Sequence, residues 1–146
     1  MKIKECMCQD VCFVKPNCNV YDAARIMNEN HIGCIPVCDD EKKILGIVTD
    51  RDIVLRNVAC NKDAKITPVS DIMTTNIYTC KSDDSVENAE FTMSKNQIRR
   101  IPVVDNQNRV VGIVSIGDLA HNTENNNLSK TMENICECKG NIKNNY

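Results

Sequence analysis

The stretch "GIVTDRD" at residues 46–52 returns as "GIVSIGD" at residues 112–118, an offset of 66 positions. In both copies a β-branched run ends in a hydroxyl residue, and an aspartate follows three positions later. When residues 3–54 are laid on residues 69–120 without gaps, 15 of the 52 pairs are identical. Self-similarity at one fixed period indicates one supersecondary unit that is used twice.

Each copy of the repeat predicts the same order of elements, β-α-β-β-α. Short strands are expected at residues 11–14 and 77–80. Apolar residues at helical spacing then follow Asn19 and Ser85, whose side chains are suited to cap a helix. Next, "CIPVCD" with "ILGIVT", and "RIPVVD" with "VVGIVS", predict a strand–turn–strand hairpin in each copy. A second helix is expected to begin at the hydroxyl-containing motif.

One repeat of about 50 residues is too small to bury the apolar face of its own sheet. We therefore predict an α/β protein whose two repeats pack sheet to sheet about a pseudo-two-fold axis. This packing would create two related clefts, one for each copy of the motif. The predicted boundaries are 1–60 for the first domain, 61–68 for a linker, 69–121 for the second domain, and 122–146 for an Asn-rich link and a C-terminal helical tail.

The composition argues against several classes of partner. A formal net charge of −2 and a pI near 5.7 leave no electrostatic footprint for nucleic acid. The longest apolar runs are far shorter than the roughly 18 residues of a membrane-spanning helix. The start "MKIKECMCQD" has no apolar region of the kind found in a secretory signal. We expect a cytoplasmic protein that binds neither nucleic acid nor membrane.

The repeated motif has a structural and a functional interpretation. Thr49 with Asp52, and Ser115 with Asp118, have the spacing of a capping box at the start of a helix. Taken alone, the pattern favours that interpretation. The same geometry also suits a nucleotide, because a helix N-terminus attracts phosphate and an aspartate can accept hydrogen bonds from a ribose.

These motifs, each preceded by "IPV" and a helix, resemble the cystathionine-β-synthase (CBS) domain, and two in tandem resemble a Bateman module. The resemblance covers residues 3–120 and extends to stand-alone bacterial proteins made of two CBS domains. It implies a regulatory or sensor module that binds an adenosine-containing ligand such as AMP, ADP, ATP, S-adenosylmethionine or NAD. It also implies a homodimer and a protein effector that the sequence does not identify. No cofactor is required in this interpretation.

The resemblance implies roles for individual residues by motif match. Asp52 and Asp118 would bind the two riboses, and Thr49 and Ser115 would approach the phosphates. The adenine would meet backbone groups of the first strand of each repeat. The residues expected there lie near Val14, Pro16 and Cys80.

The residues just before each "IPV" would line the clefts, and here the two copies differ. The second copy has Arg99 and Arg100, which can bind phosphate, whereas the first copy has Gly33 and Cys34. The first copy instead carries Arg51 within its motif. The sequence leaves open which arginine faces which cleft. The two sites therefore need not bind a ligand with equal affinity, and one could be occupied alone.

The ten cysteines suggest an alternative function, metal or redox sensing through protein contacts. Zinc is commonly held by four Cys or His ligands, often in pairs spaced by two to four residues. The candidates are two C-x-C pairs: Cys6, Cys8, Cys136 and Cys138. C-x-C is a weaker signal than paired C-x-x-C, so we assign no metal site. We interpret most of the cysteines as reduced side chains in the core.

An enzyme is the function that the sequence supports least. It has no recognisable Cys/His nucleophile pair, glycine-rich phosphate loop or carboxylate dyad. With two histidines in the chain, there is little scope for acid–base chemistry. We expect no catalytic turnover.

Overall fold

The computed structural model describes residues 1–122 and 128–136. The elements within these residues follow in chain order: a 3₁₀-helix at Ile3–Glu5, α1 (Val20–Asn30), β1 (Cys34–Cys38), β2 (Ile44–Thr49), α2 (Asp50–Asp52), a π-helix at Ile53–Val58, a 3₁₀-helix at Val69–Asp71, α3 (Val86–Asn96), β3 (Arg100–Val104), β4 (Val110–Ser115), α4 (Ile116–Asn122) and α5 (Leu128–Cys136). Within this part of the chain no helix has the length and apolar character needed to cross a membrane. The rest of the predicted link and tail, 123–127 and 137–146, lies outside the described residues.

The predicted helix caps are present in both repeats. Asn19 accepts a hydrogen bond from the backbone N–H of Asp22 at 2.7 Å, and Ser85 accepts one from Asn88 at 3.3 Å. Both helices bury a stripe of apolar residues and end in a left-handed residue, at His31 and Gln97 (each φ 54°). The two helices therefore begin and end at equivalent positions, as the repeat predicts.

The two hairpins, β1–β2 and β3–β4, are antiparallel and have the same register. Their turns are built alike. One carboxylate oxygen of Asp39 accepts the backbone N–H groups of Glu41 and Lys43, both at 2.9 Å. In the second repeat, one carboxylate oxygen of Asp105 accepts the backbone N–H groups of Gln107 and Arg109, also at 2.9 Å. This role explains why an aspartate occurs at the same position of both copies.

The strands expected at 11–14 and 77–80 are much shorter than predicted. Only Val14 and Cys80 bridge to a neighbouring strand, in parallel with Val37 and Val103 respectively. The residues before them run beside the clefts described below instead of pairing with β1 or β3. Each repeat therefore contributes a two-stranded hairpin and one bridging residue rather than a three-stranded sheet.

The repeats exchange their N-terminal segments: residues 3–8 pack on the second repeat, and residues 69–74 pack on the first. Ile3 is fully buried, and it packs with Ile101 and Leu119 of the second repeat. In the same way, Val69 and Ile72 are fully buried in the core of the first repeat. Each hydrophobic core thus contains residues from both copies. The domain boundaries 1–60 and 69–121 stay a prediction.

The hairpins meet at a seam that relates the two repeats. Ile44 donates a backbone hydrogen bond to Asn108 at 3.2 Å, and Val110 donates one to Lys42 at 3.1 Å. Cys38 and Val104, at equivalent positions of the two hairpins, are buried in one small cluster there. This confirms the predicted α/β fold and its packing of sheet on sheet about a pseudo-two-fold axis.

The exchanged segments cross the hairpins very closely. Thr74 pairs with Ile47, and Cys8 pairs with Ile113. A Cβ atom on Gly46 would lie 2.8 Å from the carbonyl oxygen of Thr74. Glycine is required there because any side chain would collide with the crossing backbone.

The short C-terminal helix is present as α5, and it packs against α3. The Asn134 amide donates to Ser94 Oγ at 2.7 Å, and the Gln97 amide donates to the Asn134 carbonyl at 3.3 Å. Leu128 and Ile135 pack against the core of the second repeat. The helix therefore extends that core.

Candidate ligand-binding clefts

Two clefts lie between the repeats, at positions related by the 66-residue offset. Cleft 1, of about 310 Å³, opens at the end of β2 beside Thr49. Cleft 2, of about 380 Å³, opens at the end of β4 beside Ser115. Most residues that line one cleft have their repeat partner in the other, and the exceptions include Asp50 and Arg51 of cleft 1 and Asp118 of cleft 2. The pseudo-symmetry of the fold therefore produces two related sites.

Cleft 1 combines polar groups from both repeats. Thr49, Asp50 and Arg51 line it from the start of α2, and Thr74 and Asn76 line it from the crossing segment. The Asp50 carboxylate packs over Gly33, where an added Cβ would lie 2.8 Å from Oδ2.

Arg99 and Arg100 close cleft 1 from the side of the second repeat. Both side chains are exposed, as is Arg51. No ion pair joins any of these three guanidinium groups to another residue within 1–122 and 128–136. Cleft 1 thus presents three cationic groups that are available to a ligand.

Each cleft also has an apolar wall, which the sequence reasoning missed. The wall residues of cleft 1 are Ile47, Ile77 and Ile98, with Tyr78 beside them. Their repeat partners in cleft 2 are Ile113, Val11 and Ile32, with Cys12. Such a wall can receive the flat face of a purine. The signal available in the sequence was the pairing of apolar residues at these positions in both copies.

Cleft 2 has a different polar lining. Ser115 and Asp118 line it from the start of α4, and Asp10 and His31 line it from the first repeat. Cys8, Cys12 and Cys34 also line this cleft. Of the three predicted arginines, only Arg100 reaches it.

Both copies of the motif form the capping box that the spacing predicts. Thr49 Oγ1 accepts the Asp52 backbone N–H at 3.1 Å, and Asp52 Oδ2 accepts the Thr49 N–H at 3.0 Å. The corresponding distances for Ser115 and Asp118 are 3.1 and 2.8 Å. The structural interpretation therefore holds in both repeats, and a ligand role would be additional to it.

The two aspartates differ in what else they contact. Asp52 is 8% exposed, does not line cleft 1, and has the Thr74 hydroxyl 3.4 Å from both carboxylate oxygens. Arg56 Nη1 lies 3.8 Å from its Oδ1. Asp118 lines cleft 2, and Ser115 donates two hydrogen bonds to its Oδ2. Its Oδ1 accepts no hydrogen bond from the described residues and is available to a ligand.

Cys34 and Arg100 occupy equivalent positions, and both line both clefts. Cys34 pairs with Thr49 in the first hairpin, and Arg100 pairs with Ser115 in the second. Burial raises the pKa of the Cys34 thiol to about 11, although the nearby Arg100 charge acts in the opposite direction. The thiol is therefore neutral at physiological pH, and Arg100 supplies the charge on the wall between the clefts.

Three residues predicted near the adenine do not line either cleft. Val14 and Cys80 are buried in the cores of the first and second repeats. The Pro16 carbonyl accepts a backbone hydrogen bond from Ser70 at 3.1 Å. The residues of these segments that do line the clefts are Val11 and Ile77, three positions before Val14 and Cys80.

Four of the nine described cysteines are buried, two are half-buried (Cys12 and Cys18) and three are exposed (Cys8, Cys60 and Cys136). Cys6, Cys34, Cys38 and Cys80 are buried, so the core interpretation holds for four of the nine in the described residues, not for most of them. Cys8 is exposed, and Cys136 is exposed at the end of α5.

The metal hypothesis concerns three of these thiols and Cys138, which lies outside the described residues. Within 1–122 and 128–136, no group of three or more Cys, His, Asp or Glu side chains is arranged to hold a metal ion. Cys6 instead donates to the carbonyl of Ile3 at 3.5 Å, and Cys8 to that of Asp10 at 3.6 Å.

Comparison with known proteins agrees with this architecture. The chain is 42% identical over 134 residues to the CBS domain-containing protein YhcV of Bacillus subtilis, which covers 91% of this chain and 94% of that one. The crystal structure of the CBS domain protein TA0289 from Thermoplasma acidophilum matches with a TM-score of 0.81 and 32% identity, over 92% of this chain and 75% of that one.

A second solved structure carries ligands. It is the CBS domain pair of protein MJ0100 in complex with 5′-methylthioadenosine and S-adenosyl-L-methionine. It matches with a TM-score of 0.76 and 32% identity, over 83% of this chain and 94% of that one. The family model for the CBS domain matches residues 3–58 and again residues 69–124. The chain therefore belongs to the CBS domain family and contains two copies of the domain.

Proposed function

We propose that this chain is a regulatory module that binds an adenosine-containing ligand in the clefts between its two CBS domains. The observation that carries the proposal is the pair of equivalent clefts, each with an apolar wall and a polar end at the [ST]-x-x-D motif. A purine suits the wall, and a ribose or phosphate suits the polar end. The adenosine ligands of the related MJ0100 pair support the same class of ligand here.

Regulation would follow from the way in which the clefts are built. Each one is lined by residues of both repeats, so a bound ligand contacts both at once. A ligand shifts the relative position of the repeats only to the extent that it binds one arrangement better than another. The proposed output is a change in a protein effector, without catalytic turnover.

A ribose contact is supported better at Asp118 than at Asp52. Asp118 has a carboxylate oxygen open to cleft 2, whereas Asp52 is engaged by Thr74 and Arg56. We retain the ribose role as a proposal for both. A ligand in cleft 1 would have to displace the Thr74 hydroxyl to reach Asp52.

We also propose a homodimer and a cytoplasmic location. The π-helix and α3 expose apolar side chains: Val54 is 55%, Val58 66% and Phe91 67% exposed. Such residues are suited to an interface between copies. The nine described cysteines are free thiols, which supports a reducing compartment. Light scattering at two protein concentrations tests the dimer.

Thermal unfolding of the reduced protein tests the main proposal. AMP, ADP, ATP, S-adenosylmethionine and NAD are each added in excess. A ligand at about 100 times its dissociation constant stabilises the native state by about 2.7 kcal/mol. For a chain of this size, that corresponds to a rise in Tm of about 5–10 °C.

Two variants locate the binding site. Asp118→Asn and Thr49→Val change groups that line a cleft, and Arg25→Gln changes an exposed side chain on α1 that lines neither. We expect a reduced ligand shift in at least one cleft variant and the full shift in Arg25→Gln. If none of the five compounds shifts Tm, the proposed function is wrong.

A further inference from the structure

The two clefts carry opposite charge. Cleft 1 is lined by three arginines, Arg51, Arg99 and Arg100, against one aspartate, Asp50. Cleft 2 is lined by two aspartates against the shared Arg100. Repeat symmetry gives the two clefts equivalent apolar walls, whereas their charged linings have opposite sign.

The difference arises at five pairs of equivalent positions. Cleft 1 is lined by Arg99, where cleft 2 has Gly33, and by Asn76, where cleft 2 has Asp10. Asp50 and Arg51 line cleft 1 and cancel each other in charge, whereas their partners Ile116 and Gly117 are uncharged and do not line cleft 2. Asp118 lines cleft 2, whereas its partner Asp52 does not line cleft 1. Arginine binds phosphate through bidentate, charge-assisted hydrogen bonds, which glycine cannot provide.

Cleft 2 is unfavourable for a phosphate and favourable for a cation. A phosphate there would face the carboxylates of Asp10 and Asp118, with Arg100 as the one nearby cation among the cleft-lining residues. Asp118 already accepts two hydrogen bonds through Oδ2 and keeps Oδ1 open. A positively charged group bound in cleft 2 would be stabilised by the same two carboxylates.

We propose that the clefts divide adenosine ligands by charge, so that cleft 1 binds a phosphorylated adenosine and cleft 2 binds an unphosphorylated one, with preference for a cationic sulfonium. This inference rests on the proposed function, because it assumes that both clefts take adenosine compounds. It adds the ligand class of each cleft and a way in which the two are linked.

The link is Arg100, which lines both clefts. A phosphate in cleft 1 draws this guanidinium toward itself and leaves the carboxylates of cleft 2 less neutralised. A cation in cleft 2 then binds more tightly. By linkage, the cation must strengthen phosphate binding in cleft 1 by the same factor.

Isothermal titration calorimetry with two matched ligand pairs tests the division by charge. AMP and adenosine differ by the phosphate, and S-adenosylmethionine and S-adenosylhomocysteine differ by the sulfonium methyl group and its charge. We expect AMP to bind more tightly than adenosine, and the sulfonium to bind more tightly than its uncharged analogue. The two preferred ligands should occupy the same protein molecule together.

Variants assign each preference to one cleft. Arg99 lines only cleft 1 and Asp10 lines only cleft 2, and both are exposed, so substitution should leave the fold intact. Arg99→Gln should weaken AMP by about tenfold, the effect of one charge-assisted hydrogen bond, and leave the sulfonium unchanged. Asp10→Asn should have the reverse pattern. Arg100→Gln should abolish the effect of each ligand on the other.

The outcomes separate this inference from the proposed function. If no adenosine compound binds, the proposed function fails, and the inference fails with it. If the compounds bind but Arg99→Gln and Asp10→Asn change both ligand classes equally, the proposed function stands and the division by charge is wrong. If AMP and the sulfonium compete for a single site, the division is also wrong.

Discussion

The close crossing at Gly46 gives a prediction whose size can be worked out from the structure. In Gly46→Ala, the new Cβ would lie 2.8 Å from the Thr74 carbonyl oxygen and 2.8 Å from Met73 Sδ. Real Cβ contacts do not come this close, and the carbonyl cannot move freely because it accepts the Ile47 N–H at 2.9 Å. The exchanged segment must therefore shift as a unit.

Overpacking of this kind costs about 1–3 kcal/mol. Alanine also restricts the unfolded chain, which offsets about 0.4–1 kcal/mol of that cost. We expect Gly46→Ala to lose about 1–2 kcal/mol of unfolding free energy, which lowers Tm by about 3–8 °C. Urea unfolding and calorimetry measure both quantities.

Gly117→Ala is the matched control. Gly117 lies in α4, and the nearest atom to its added Cβ would be Ser115 Oγ at 3.6 Å, an ordinary contact. Alanine is the better helix former, so this variant should gain about 0.5–1 kcal/mol. If Gly46→Ala is as stable as Gly117→Ala, the close crossing does not exist as described.

Three further substitutions or conditions test the fold. Ile3→Ala should cost about 2–4 kcal/mol in urea unfolding, because Ile3 is fully buried in the other repeat's core; a change under about 0.5 kcal/mol would mean that the N-terminal segment is not docked. Asp39→Ala should cost about 1–2 kcal/mol by the same assay, because the turn loses two hydrogen bonds, and Asp39→Asn should retain most of the stability. Burial raises the pKa of Cys34 and Cys38 to about 11 and of Cys80 to about 12, from an ordinary 9.0. These thiols ionise at a lower pH in the unfolded chain than in the native state. The stability that they contribute to the native state is therefore present in full below pH 9 and is lost as the pH rises toward 11–12. Tm should accordingly fall across this range, and less steeply in Cys34→Ala; parallel curves would contradict the assignment.

The sequence predicts the features that depend on neighbours along the chain. The caps at Asn19 and Ser85 and the capping boxes at Thr49 and Ser115 use partners three residues away, so spacing is sufficient to find them. The repeat also predicts two clefts, because two equal copies about an axis must produce equivalent sites.

The exchanged segments could not be found in this way. Ile3 has the same apolar character whether it packs on its own repeat or on the other, so no local pattern distinguishes the two arrangements. Asp52 is contacted by the hydroxyl of Thr74, which is 22 residues away, whereas the equivalent position in the other crossing segment is Cys8, which has no hydroxyl. Arg100 lines both clefts because of the packing of the two repeats, which the sequence around it does not reveal.

The exchange of N-terminal segments also sets the order in which the two hydrophobic cores can form during synthesis. Residues 3–8 leave the ribosome before the rest of both repeats, yet the core that receives Ile3 is built from residues as late as Leu119. The first repeat, in contrast, closes its core as soon as Val69 and Ile72 have emerged. Residues 3–8 must therefore wait, undocked, until the end of the second repeat appears, and this segment and α4 are fixed in the same step.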